Sequence, residues 1–501
     1  MRKWRPLIAV CLGTFMLLLD VTVVIVALPD MASGLAASLT ELQWVIDIYA
    51  LVLAALLLGA GAAADVVGPR RMYVAGTALF ALASLGCGLA SGPGSLIAMR
   101  GVQGLGAAAM FATTLSLLAA AYEGRDRSFA LGIWGAVSGA AAALGPVLGG
   151  VLTQSLEWRW IFFINLPVSV AAVWLTLRAI APSKRAGGRR VDWAGTAAFA
   201  LFAGAATYGV VRAGSEGWAS SRTGLTFSVA ALALAAFVVI ERRAAHPLID
   251  LSLFRRPSFV AVMAAGVAYN AAAFGVLPYT SIWLQTVLGM SPVGAGLALL
   301  PLAATAFVAA AVSGRLLHDA PHRLVIGGGL LLIGAGTLGQ AVLDADSGWA
   351  PLTAGLAVAG IGVGLVSPGL AGAALASVPP RNAGMAGGSV NTFRQLGYAL
   401  GVAVFGTVAT ARMSHSLERA GVDGATEAAH TLAGGGAGVL RHTTAEEALR
   451  AAFASGLNTA AVVAGVVGLL AGVAVLVWVR ASAAPPAEQV RTNRPVAVER
   501  R

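Results

Sequence analysis

Apolar runs about as long as a bilayer is thick recur along the whole chain, and they constrain its fold more than any other feature. They fall at about 7–28, 42–64, 72–90, 95–120, 128–152, 160–180, 193–213, 223–240, 258–287, 293–317, 323–343, 350–378, 388–410 and 453–479. As helices rising about 1.5 Å per residue, such runs cross a hydrocarbon core of about 30 Å. Strands of alternating polarity are absent, so the buried backbone is satisfied within helices rather than in a closed barrel. The expected fold class is an all-α polytopic membrane protein with fourteen spans. At 58% hydrophobic and 11% charged residues the composition excludes an ordinary soluble domain.

The net charge of +11 does not point to nucleic acid, because the basic residues sit in short connections between apolar runs rather than on one amphipathic face. With the N-terminus inside, inner connections carry Arg2, Lys3, Arg5, Arg70, Arg71, Arg125, Arg127, Lys184, Arg185, Arg242, Arg243 and Arg381 among others, and outer ones far fewer. This excess predicts an even number of spans, with both termini cytoplasmic in the cell membrane. The first run carries an acid and is too long for a signal peptide, so it is read as an uncleaved helix.

Cys11 and Cys87 lie inside apolar runs and imply neither disulfide nor metal. The six histidines fall in loops without ligand clustering. The only lysines, Lys3 and Lys184, sit in no phosphate-binding loop. No metal site, cofactor, ATP site or enzymatic chemistry is expected.

Basic connections at 181–192 and 241–256 divide the chain. The expected organisation is a six-helix bundle over 1–180, an inserted two-helix region over 181–256, a second six-helix bundle over 257–480 and a cytoplasmic tail over 481–501. A long outer loop at 411–452 belongs to the second bundle. In it the Gly434-Gly435-Gly436 run predicts flexibility, and Thr444-Ala445-Glu446-Glu447 reads as a capping box opening the last helix.

The polar residues inside the runs carry the functional reading. Asp20 sits near mid-depth in the first run, where an acid costs about 2.5–3.5 kcal/mol and marks a functional site or a structural pair. Asp47 lies in the outer part of the second run. Arg100, Gln103 and Gly104 share one helical face, and Arg100 either snorkels to the interface or pairs with Asp20 or Asp47. Asp65, Gly68, Arg70 and Arg71 form an inner loop suited to a gate latch, or to setting topology alone. Gly145 and Gly149 allow close helix approach, with Pro146 permitting a bend and Gly150 beside them. Asn391, Arg394, Gln395 and Tyr398 form a stripe at helical period that should face a water-filled cavity. Tyr269, Asn270 and Phe274 add lining. Trp158-Arg159-Trp160 reads as an interfacial anchor.

Together these stretches resemble the fourteen-helix drug:proton antiporter branch of the major facilitator superfamily. The resemblance rests on Leu19-Asp20-x-Thr22 through Ala27-Leu28-Pro29, Gly61 to Arg71, Arg100-x-x-Gln103-Gly104 and Gly145-Pro146-x-x-Gly149-Gly150. It extends to Trp158 through Asn165-Leu166-Pro167 and to Asn391-Thr392-x-Arg394-Gln395-Leu396-Gly397. It implies two rocking six-helix bundles, proton-driven export of hydrophobic or amphipathic drugs, Asp20 as a proton or substrate carboxylate, Arg100 in a proton-transfer motif, Asp65 and Arg70 as inner gate, Gly145-Pro146 as the antiport signature, and Asn165 among the cavity residues. Ile25, Val66 and Ala141 depart from the family pattern. They remove polar contacts near Asp20, thin the gate's charges and soften the glycine packing.

The mechanism expected from these readings has Asp20, with Asp47, alternating between a protonated and a substrate-paired state, so that proton and cationic drug compete for one charge. The partners are a small drug-like molecule, protons and the bilayer, acting on a monomer. Rival readings are a lipid or metabolite exporter on the same scaffold, a proton-coupled uptake symporter and a non-transporting membrane sensor. The abundance of Ala, Gly and Arg with little Lys suggests a high-GC bacterium.

Overall fold

The computed structural model describes residues 2–37, 39–182, 192–245, 247–317, 320–376, 378 and 383–478. The basic stretch 183–191, Arg381 and the tail 481–501 lie outside the described residues. All the described regular structure is helical. The helices are α1 (Arg5–Leu35), α2 (Leu39–Val67), α3 (Pro69–Gly88), α4 (Pro93–Ala121), α5 (Gly124–Ser155), α6 (Trp160–Phe163), α7 (Asn165–Ala179), α8 (Trp193–Glu216) and α9 (Ser221–Arg243). They continue with α10 (Pro257–Phe274), α11 (Leu277–Ile282), α12 (Pro292–Leu316), α13 (His322–Leu338), α14 (Leu352–Ala376), α15 (Ala383–Arg419), α16 (Ala425–Ala433), α17 (Ala437–Leu440) and α18 (Glu446–Trp478).

Each of the fourteen apolar runs is helical, and ten helical stretches among the described residues are long and apolar enough to cross a membrane by length and composition alone. The boundaries follow local chemistry. Gly68, at φ 101°, makes the turn that Pro69 then locks into the first position of α3. Asp192 caps α8 through the Gly195 amide at 2.8 Å, and Ser291 caps α12 through the Gly294 amide at 3.1 Å.

α1 to α7 pack on one another, as do α10 to α15 with α18. Between these halves α5 lies along α12 and α14, while α2 and α4 meet α15. Glycine makes the seams possible. A Cβ on Gly139 would stand 3.3 Å from that of Ala306, and one on Gly388 3.4 Å from Cα of Gly61. Nearby, the Asn391 amide donates to the Phe111 carbonyl at 3.1 Å. The two halves therefore touch closely at the end that carries Asp65 and Arg70.

The run expected as one span over 258–287 is one candidate span, Pro257–Val287, with an irregular turn inside it. α10 stops at Phe274, α11 restarts at Leu277 with Pro278 in its first turn, and a π-helical turn follows at Trp283–Val287. Pro278 lacks the amide that would bond the Phe274 carbonyl, a loss tolerated in a membrane only where protein or a cavity meets that group. α8 packs on α9, α2 and α15, so the inserted pair lies against both halves, while Leu201, Leu225 and Leu232 present apolar surface outward.

Two expectations are corrected here. The loop 411–452 is not a flexible connection: α15 extends to Arg419, α16 and α17 follow, and Ala429, Leu432 and Ala437 are buried in one cluster with Trp283, Met413 and Leu417. Apolar spacing in Ala425–Ala433 outweighs the glycines, which form a tight turn with Gly435 at φ 91°. Trp158 is not an interfacial anchor either; it is buried beside Met31 and Leu35, and only Trp160 is substantially exposed.

Candidate functional site

Two adjoining features occupy the middle of the molecule. The first is a polar knot inside the first half. Asp20 of α1 is fully buried, as are Arg100 and Gln103 of α4, Ser84 of α3 and Asn165 at the start of α7. One carboxylate oxygen of Asp20 takes the Arg100 guanidinium, and the other accepts from the Gln103 and Asn165 amides, both at 2.9 Å. Gln103 also donates to Ser84 Oγ at 2.8 Å and accepts from Arg100 Nη1 at 2.6 Å. Arg100 Nε reaches the Val45 carbonyl at 3.1 Å, and its charge lies 4.3 Å from the centre of the Tyr49 ring. The helical spacing of Arg100 and Gln103 brings both to one acid, so Arg100 pairs with Asp20 and does not snorkel.

Three members of this knot carried no sequence signal. Ser84 and Cys87 stand one turn apart in an apolar run that reads as plain membrane helix, and Val45 contributes only a carbonyl.

The second feature is a cleft between the halves, lined by α1, α4, α5, α10, α11, α12 and α15 and enclosing about 990 Å³ of atom-free space with its open mouth included. Its walls are largely apolar. Of the residues expected to line it, Tyr269, Asn270, Phe274, Arg394, Gln395 and Tyr398 do so. Asn165 and Asn391 do not: one is spent on Asp20 and the other on the Phe111 carbonyl. Asp20 is also absent from the lining. Its neighbours Leu18, Val21 and Thr22 face the cleft, whereas the carboxylate points into the first half. Of the two roles expected for Asp20, proton or substrate carboxylate, this arrangement is the one suited to the proton, since every described partner of the acid belongs to its own half.

The glycine motif joins the two features. A Cβ on Gly145 would stand 1.8 Å from Thr22 Oγ1, and one on Gly149 2.8 Å from the Val23 carbonyl oxygen. α5 therefore presses on α1 just beyond Asp20, at a residue that also lines the cleft. Pro146 falls within this continuous helix and Gly150 is buried beside Gly149. Asp47, half-buried, lies within electrostatic range of Tyr279 and Tyr398 of the second half. At the far end Asp65 closes α2, Gly68 makes the turn, Arg71 is exposed, and Arg70 donates to the Leu177 carbonyl of α7 at 2.7 Å.

The Major Facilitator Superfamily matches residues 10–402. The chain is 37% identical over 413 residues to the multidrug resistance protein Stp of Mycobacterium tuberculosis, covering 82% of this chain and 77% of that protein. It is 34% identical to the tetracenomycin C resistance and export protein of Streptomyces glaucescens, covering 95% and 91%. It is 36% identical to the puromycin resistance protein pur8 of Streptomyces alboniger, covering 82% of each. Among solved structures the human organic anion transporter MFSD10 superposes with a TM-score of 0.63 over 94% of this chain and 99% of that one; at 15% identity this likeness concerns the fold alone. With matched helices, motifs and relatives in agreement, the chain is a multi-pass membrane transporter and belongs to the major facilitator superfamily, in the branch that these resistance and export proteins represent.

Proposed function

We propose that this protein exports amphipathic drugs or antibiotics from the cytoplasm by alternating access, driven by inward protons and without any cofactor or ATP. The observation that carries the reading is the Asp20 carboxylate, fully buried in a membrane helix, held by one arginine and two amides, and set directly behind the wall of the cleft between the halves. The resistance and export relatives support the same direction of transport.

In this reading proton and substrate occupy different places. Protonation of Asp20 cancels the charge that Arg100 compensates, and the knot rearranges within the first half. α1 carries the change to Thr22, and Gly145 and Gly149 pass it to α5, which lies along the second half. With the N-terminus cytoplasmic, the end closed by Gly61, Gly388 and Asn391 is the inner one, so this arrangement leans outward. Asp65, Arg70 and Arg71 then act at the inner gate. A cleft lined within one chain supports a monomer as the working unit.

The test is export of a compound panel by proteoliposomes under an imposed proton gradient, comparing wild type with Asp20→Asn. Wild-type export should collapse with an uncoupler and be lost in the variant. Export that survives the uncoupler removes proton coupling; full gradient-driven export by Asp20→Asn removes the acid's role.

A further inference from the structure

The cleft is not electrically neutral. Arg394 of α15 lines it, is 4% exposed, and its Nε and Nη1 have no hydrogen-bond partner. The guanidinium lies between two aromatic faces, 5.0 Å from the Tyr269 ring centre and 5.6 Å from that of Trp134. An arginine stays charged at any physiological pH, and a buried guanidinium ordinarily takes a carboxylate or phosphate across its planar fork. None of the lining residues is acidic. Asp20 is committed to Arg100 in the other half, and Asp47 stands outside the lining. The side chain that carries these unpartnered donors lines the cleft, and Asn270 and Gln395 belong to the same lining.

We infer that Arg394 is the anion-recognising residue of the substrate site, and that the preferred cargo is an amphipathic molecule carrying a carboxylate or an equally acidic oxygen anion. Tyr269 and Trp134 hold the guanidinium, and the apolar remainder, Phe274, Leu299 and Leu302 among it, takes the cargo's hydrophobic body. This deepens the export reading above and rests on it. It also reverses the charge expected from Asp20 alone: the cavity selects anions or neutral acceptors and disfavours cations.

Matched probes test the assignment: pyrene, naphthalene and steroid scaffolds, each as a carboxylate, the corresponding amide and a trimethylammonium analogue, are added outside everted vesicles, where export appears as gradient-driven accumulation in the lumen. The ratio of carboxylate to amide export should favour the carboxylate by about ten- to a hundredfold in wild type, the worth of one charge-assisted hydrogen bond. Arg394→Gln should collapse that ratio towards one, and Arg394→Lys should keep part of it, with monodispersity and thermal melting reporting whether each variant is folded. A wild-type ratio at or below one, or preferred export of the ammonium forms, overturns the anion assignment while leaving export standing, and needs no variant. An Arg394→Gln protein that is folded and keeps the ratio overturns the role of Arg394. If no scaffold in any charge form moves in a gradient-dependent way, the export reading falls and this inference with it.

Discussion

Asp20 and Arg100 are each fully buried and each is the other's only described charge partner. Removing one alone leaves an uncompensated charge in a low-dielectric interior, a change that costs about 3–5 kcal/mol in buried pairs. Asp20→Asn and Arg100→Gln should therefore each lower the melting temperature in detergent, and the double variant should recover most of that loss while still failing to couple export to protons. A double variant as unstable as the worse single one would show that the pair does not act as a unit. Arg394 is the opposite case, a buried cation with donors left over, and unmade hydrogen bonds at such a group cost more than about 1–3 kcal/mol. Anionic cargo should thus raise the melting temperature of wild type, and that shift should vanish in Arg394→Gln.

At the scale of helices the contact between α1 and α5 decides how a proton at Asp20 is felt elsewhere. Gly145→Ala would place a methyl group against Thr22 and Gly149→Ala one against the Val23 carbonyl, so both variants should separate the two helices and lose most gradient-driven export. Combining Gly145→Ala with Thr22→Ala removes the nearest atom and should recover part of the activity, as initial export rates in vesicles will show. The break between α10 and α11 places Phe274, Leu277 and Pro278 on the cleft wall.

For the whole molecule, alternating access requires the end closed by α2, α4 and α15 to part. Cysteines at Gly61 and Gly388 would face each other across that seam, while the native Cys11 and Cys87 are both buried. Oxidation of the Gly61→Cys/Gly388→Cys variant should stop export and reduction should restore it; export unaffected by a demonstrated cross-link would mean that this end need not open. Charge movement gives a second check. Outward transfer of a monoanion against one inward proton moves two charges, gaining about 4.6 kcal/mol per 100 mV, twice the single-charge value of about 2.3. Carboxylate export should accelerate under an inside-negative potential, whereas exchange of a monocation for one proton should not respond.

The fold was legible because lipid leaves the backbone few choices: long apolar runs must be helices, and the Gly-Pro and Ser-Pro junctions mark several of their ends. The spacing of Arg100 and Gln103, and of Asn391, Arg394, Gln395 and Tyr398, likewise identified polar faces from period alone. What period cannot say is which neighbour a face meets. Only tertiary packing decided that Asn165 and Ser84 belong with Asp20, that Asn391 seals a seam while Arg394 three residues on stays in the cleft, and that the glycine-rich segment over 411–452 folds as helix on a buried apolar patch. The charge of the cavity depended on the same step. The sequence places two acids, Asp20 and Asp47, and two arginines, Arg100 and Arg394, inside the membrane runs, and only contacts between residues far apart in sequence decide that Asp20 meets Arg100 while Arg394 lines the cleft.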